Sequence, residues 1–183
     1  MTENKLFAVM LGGNPPGTNI EIHDLVFAVG PDIEKVGDQL LKAWFAPGKA
    51  PHVDSWMLLD NVDGYAVSLD HAPAPVGAPD LWHVNLGFYE AGQTSFTEGH
   101  ENHFVVATTA DEAKARAKLL SRQKKNLAQL HTDALHRVSD CLAAQGSVFR
   151  ISVTQCPAGQ QAQAHDGYKP FDGDFLATHG FKP

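Results

Sequence analysis

The chain has 183 residues, 43% of them apolar and 19% charged, which supplies enough apolar material for a buried core and makes wholesale disorder untenable. Its 14 basic side chains against 21 acidic ones give a net charge of −7, which argues against a chain built to bind nucleic acid or an anionic membrane surface. No apolar run approaches the roughly 18 residues of a membrane span, the first residues lack the regions of a signal peptide, and Cys141 and Cys156 are too few for a disulfide scaffold. A soluble, cytoplasmic protein with reduced thiols is expected.

In chain order, Leu6 to Leu11 is a short apolar run ending in Gly-Gly and predicts a strand. A loop with Pro15, Pro16 and Gly17 follows, then a second strand at Leu25 to Val29. Pro31 and Asp32 suit a helix start, and Ile33, Val36, Leu40, Leu41 and Trp44 recur at helical spacing. Asp54 to Leu59 and Gly64 to Leu69 read as a hairpin around Asn61-Val62-Asp63-Gly64. The Pro/Ala/Gly-rich stretch 71–80 reads as a linker. Beyond it, strands are predicted at Leu81 to Leu86 and Phe104 to Thr108. The next helix begins near Asp111, capped by Thr108 or Thr109, with Ala113, Ala117 and Leu120 inward and a course running past Leu127. Leu130 to Ala144 taken alone fits a helix, but comparison with the first half makes Asp133 to Cys141 a strand, hairpin-paired with Ser147 to Val153.

That comparison rests on an internal repeat. Leu6, Val9, Leu11, Gly12 and Gly17 recur as Leu81, Val84, Leu86, Gly87 and Gly92. After a two-residue insertion, Glu21, His23, Phe27 and Val29 recur as Glu98, His100, Phe104 and Val106, so nine of the 24 positions from Leu6 to Val29 are identical. Further on, His52-Val53-Asp54 matches His131-Thr132-Asp133. The expected architecture is therefore α+β: two ββαββ modules related by a pseudo-twofold axis, mainly antiparallel, with one helix per module. The modules span residues 1–70 and 81–154, and a Gly/Pro/Gln-rich tail, 155–183, is expected to be partly docked by its aromatics.

Duplication separates the residues that survived divergence in both copies from those that did not. The paired glycines are expected to supply unusual backbone angles at loop ends. More telling are the polar pairs: each half carries Glu-x-His before its second strand and His-x-Asp before its third. Residues two apart on extended chain share a face, so Glu21 can converge with His23, and His52 with Asp54. The candidate ligand-binding residues are thus Glu21, His23, His52, Asp54, Glu98, His100, His131 and Asp133. Of these, His23, His52, His100 and His131 are the candidate metal ligands. Imidazole with carboxylate suits zinc, iron, manganese or nickel, and equally suits a histidine base oriented by an acid. Against both stands an architectural account, in which these residues brace the long loops of a non-catalytic interaction module.

Other features rank below these. Lys114, Lys118, Arg122 and Lys125 form a basic stripe that reads as a solvated helix face rather than a nucleic-acid surface. His165, Asp166, Asp172 and His179 of the tail have no counterpart in the repeat and read as solvated. The expected partner is a small molecule or another protein chain, a homodimer included. No membrane or nucleic acid is expected. Any metal affinity should weaken below about pH 6 as histidine protonates near its reference value of about 6.5.

The strings Leu6 to Gly13, Ile20-Glu21-Ile22-His23-Asp24, His52-Val53-Asp54-Ser55-Trp56 and Val62-Asp63-Gly64-Tyr65 resemble the bacterial domain-of-unknown-function family numbered 1543. The resemblance is strongest over residues 5–70, continues through Leu86-Gly87, Glu98-Gly99-His100 and His131-Thr132-Asp133, and excludes the tail. It implies duplication and carries no established activity. The second copy departs from the first in having Phe88 where Gly13 stands. Read from Leu25, the element order is also similar in architecture to the vicinal-oxygen-chelate superfamily, which implies a metal held by His and Glu between paired modules.

Overall fold

The computed structural model of the chain describes residues 3–46, 48–72, 75–124, 126–156 and 161–181. Lys125 of the basic stripe, Pro73 and Ala74 of the expected linker, and residues 157–160 and 182–183 of the expected tail lie outside them. The first half contributes β1 (Lys5–Gly13), β2 (Ile22–Gly30), a 3₁₀ turn (Ile33–Lys35), α1 (Gly37–Ala43), β3 (His52–Leu58), β4 (Asn61–Val62) and β5 (Tyr65–Asp70). The second contributes β6 (Asp80–Glu90), β7 (Gly99–Ala107), α2 (Ala110–Lys124), β8 (Leu127–Arg137), α3 (Val138–Ala144) and β9 (Arg150–Gln155). β10 (Ala164–Pro170) and α4 (Gly173–Thr178) complete the chain. The fold is α+β, and every strand pairing among the described residues is antiparallel. No helix there is long and apolar enough to cross a membrane.

Two compact units result, one of residues 1–60 with 162–183 and the other of residues 61–161. In the first, the sheet order is β10-β3-β1-β2. Alternation along β1 turns Phe7, Val9 and Leu11 towards Val36, Leu40 and Trp44, which recur at the four-residue spacing of one helical face. Each such buried side chain contributes about 1.5–3 kcal/mol. Leu6, Ala8 and Gly12 alternate onto the opposite face, where the candidate residues lie.

The tail is built into this unit. β10 pairs with β3, and Asp172 caps α4 by accepting from the N–H groups of Asp174 and Phe175 at 3.0 and 3.1 Å. Phe175 packs so closely on α1 that a Cβ on Gly37 would stand 2.9 Å from its ring. Three tail residues expected to be solvated also make contacts, His165 and Asp172 while remaining exposed. His165 stacks on Trp56 at 4.0 Å between centroids, Asp172 caps α4, and His179 Nε2 lies 3.1 Å from Asp38. Strand pairing, which the tail's polar composition conceals, brings in His165, and α4 carries the other two at its ends.

In the second unit β6, β7, α2 and β8 repeat the plan of the first three strands and helix, with order β7-β6-β8. Val84, Leu86 and Val105 pack against Ala113 and Ala117 of α2. Thr109 is the cap of α2, its Oγ1 accepting from Glu112 N–H at 3.2 Å. The helix stops at Lys124 rather than running past Leu127, because Leu127 onward pairs with β6.

Two expected hairpins are corrected. Asn61 to Gly64 does form a tight turn, with Asp63 and Gly64 at φ 56° and 78°, but it joins β4 to β5. β3 pairs with β1 and β10 instead, and β5 pairs with β9 along its whole length, Tyr65 opposite Gln155 and Asp70 opposite Arg150. The strand expected at Asp133 to Cys141 ends at Arg137 and gives way to α3, so it makes no hairpin with Ser147 to Val153. Buried Asp80 directs that change: it takes Arg137 Nε at 2.8 Å and Ser139 Oγ at 3.1 Å, while Val138 and Leu142 bury one helical face.

Candidate functional site

Both copies place histidine, glycine and histidine in one row across three strands. Gly12 of β1 lies opposite His23 on one side and His52 on the other. Gly87 of β6 lies likewise between His100 and His131. Glu21 and Glu98, two residues ahead of the row's first histidine, share its face. The bare glycine leaves a floor over which the polar side chains close. A Cβ on Gly12 would stand 2.5 Å from Glu21 Oε1 and 2.8 Å from His52 Nε2, and closer still to Asp54 Oδ2. On Gly87 it would stand 2.5 Å from Asp133 Oδ2 and 2.7 Å from His131 Nε2. These two glycines therefore do not supply unusual angles at loop ends; they lie in strands and supply space. Gly17 and Gly92, at φ 96° and 77°, are the pair that needs the left-handed region.

The aspartates reach this row through a duplicated bulge. The pairing of β1 with β3 steps from Met10–Ser55 to Leu11–Val53, leaving Asp54 without an opposite number. That of β6 with β8 steps from Asn85–Ala134 to Leu86–Thr132, leaving Asp133 in the same position. A bulge bends the strand and re-aims the extra residue.

In the first copy His52 Nε2 lies 2.7 Å from Glu21 Oε1 and 3.0 Å from Asp54 Oδ1. His23 Nε2 lies 3.2 Å from Asp54 Oδ2 and 3.9 Å from Glu21 Oε1. Despite that approach, Asp54 Oδ2 is buried and has no hydrogen-bond partner. In the second copy His131 Nε2 lies 3.2 Å from Glu98 Oε1 and 3.1 Å from Asp133 Oδ1, and His100 Nε2 lies 3.2 Å from Asp133 Oδ2. The atoms that close within 4.8 Å of one another, as ligands of one ion must, belong to Glu21, His52 and Asp54, and to Glu98, His131 and Asp133. All eight sequence-derived residues are thus gathered into two equivalent clusters, with His23 and His100 at their margins.

The two copies differ in what holds the inner histidine. Tyr168 of β10 lies against His52, 4.4 Å between ring centroids. His131 has no such ring against it among the described residues; its Nδ1 instead donates to the Gln129 carbonyl at 2.8 Å. That hydrogen bond, reinforced by Asp133 and Glu98, raises the His131 pKa above its ordinary value. It also fixes the ring with Nε2 towards the carboxylates. Gln129 reaches this position at φ 53°, which costs a non-glycine residue roughly 1–2 kcal/mol. Tyr168, Gln129 and the floor glycines were not identified as site residues from sequence. Only the glycines left a signal, through their identity at equivalent positions of the repeat.

The family model of the Domain of Unknown Function DUF1543 matches the chain twice, over residues 18–69 and 95–146. Each segment carries one complete Glu-x-His and His-x-Asp set. No curated protein matches the sequence. Among solved structures, a protein Il1583 from Idiomarina loihiensis is similar, with 28% identity and a TM-score of 0.69 over 93% of this chain and 99% of that one. The two matched segments span more than half of the sequence and coincide with the two clusters, so the chain belongs to the DUF1543 family.

Proposed function

We propose that each module binds one divalent transition-metal ion, the first through Glu21, His52 and Asp54 and the second through Glu98, His131 and Asp133. The observation that carries this reading is convergence: in both copies two carboxylate oxygens stand 2.7–3.2 Å from a single imidazole Nε2. One ring nitrogen cannot align well with two oxygens at once. Bonds of roughly 2.0–2.2 Å to a shared ion, by contrast, set its ligand atoms about 3 Å apart. The ion would offset the repulsion between paired carboxylates and supply the partner that Asp54 Oδ2 lacks. Nitrogen and oxygen donors together suit zinc, iron, manganese or nickel. When bound, such an ion supplies Lewis acidity towards water or a small carbonyl compound.

The test is elemental analysis of tag-free protein purified without chelator, beside a His52→Ala/His131→Ala variant. Two ions per chain, absent from the variant, are expected. His23→Ala and His100→Ala, which remove the outer partners of the aspartates, should weaken binding by about 10–100-fold without abolishing it. A metal-free protein that also takes up none in titration would return these residues to the bracing of loops.

A further inference from the structure

Divergence has left the two clusters alike in donors and unlike in surroundings. β10 covers the inner histidine of the first, while the carboxylates and outer histidines of the two are about equally exposed. The pairing of β10 with β3 steps from Asp166–Ser55 to Lys169–Val53, so Gly167 and Tyr168 bulge beside Asp54 and the tyrosine ring lies on His52. The His52 side chain is left only 14% exposed. In the second unit β8 is the edge of its sheet, no strand among the described residues covers it, and His131 is 47% exposed.

The second cluster also adjoins a cavity of about 170 Å³ whose lining includes Tyr89, Glu90, Gln93, Ser95, Thr97 and Glu98. Glu98 belongs to both, since its Oε1 is 3.2 Å from His131 Nε2. Hydroxyl and amide groups give this cavity donors and acceptors of both kinds, while Glu90 and Glu98 disfavour an anion. Its volume falls below the ~300–1,000 Å³ of sites for drug-sized ligands. A site that holds an ion for structure is closed by protein, and one that acts on a ligand keeps a position open.

We propose that the two sites divide the work: the first, whose histidine Tyr168 covers, holds its ion for structure, and the second, whose histidine lies open beside this cavity, takes a small uncharged hydroxyl-bearing ligand. The proposal rests on the metal reading above.

The test loads the full chain with two equivalents of Co²⁺ and titrates hydroxyacetone, a small probe with adjacent hydroxyl and carbonyl oxygens that is uncharged at neutral pH, while the cobalt absorption is followed. The expected result is a response from one of two bound ions. It should survive His52→Ala and disappear in His131→Ala. Thr97→Leu, which fills the cavity, should weaken the probe at least tenfold with cobalt stoichiometry unchanged. Tyr168→Ala should make both ions respond. Absence of bound cobalt overturns the metal reading and this one with it. Two bound ions that respond equally, or not at all, in the unaltered chain overturn the division of work alone, as does a response that survives His131→Ala.

Discussion

Gly12 illustrates how much a single missing methyl group decides. Its backbone is extended, so alanine there meets no conformational penalty and acts only by collision with Glu21, His52 and Asp54. Gly12→Ala should cost about 1–3 kcal/mol, the usual range for overpacking, read from urea unfolding. It should also remove metal from the first site and leave the second loaded, and Gly87→Ala should do the reverse. His83 offers a separate prediction. It is buried between β7 and β8, hydrogen-bonded to Asn102 at 2.8 Å and flanked by Phe104 and His136. Burial pushes its pKa down, against the opposing pull of Asn102. The folded value lies below the unfolded one of about 6.5. As pH falls through that value the unfolded chain takes the proton first. Stability is therefore full above about pH 6.5 and declines below it. A His83→Gln variant should show a shallower fall in urea midpoint between pH 7.5 and 5.5 than the unaltered chain, and an unchanged slope would refute this origin.

At the scale of elements, turns and bulges do what strand propensity cannot. Asp63 sits at φ 56° in the turn between β4 and β5, and its carboxylate accepts from Val106 N–H at 3.1 Å and from Arg116 at 2.6 Å. One residue thus fixes a turn and ties it to β7 and α2. Asp63→Ala should lose about 1–3 kcal/mol through the unsatisfied partners, and Asp63→Asn less, because asparagine tolerates the left-handed backbone. Denaturant midpoints of the two variants provide the comparison. The bulges at Asp54 and Asp133 are of the same kind. His-x-Asp was legible as a same-face pair, but the extra residue that turns each aspartate over the glycine was not. A bulge is a mismatch of register between two strands, and neither strand encodes it alone.

For the whole molecule, the compact units cut across the sequence repeats. The unit of residues 61–161 takes β5 from the first half to pair with β9 of the second, and the other unit takes β10 and α4 from the chain's end. Fragments 1–72 and 75–183 should therefore fail to fold separately, each lacking strands that the other holds. Mixed, they should recover dispersed amide resonances. A folded 1–72 fragment alone would contradict this account of the units.

The amino-acid sequence by itself determined the duplication, the eight polar residues of the two clusters, the helices at 37–43 and 110–124 in outline, and the tight turn at Asp63-Gly64. All of these follow from local spacing: helical and strand periodicity, cap and turn chemistry, and identity between copies. Only the tertiary structure decided that β5 pairs with β9, that Arg137 gives way to a helix, that β10 covers His52 and that no strand among the described residues covers His131. Alternation tells a strand which face it buries and leaves open which strand lies beside it. That choice is made by burial and hydrogen bonding between segments far apart in the chain, and here it gives two clusters of one repeated pattern unlike surroundings.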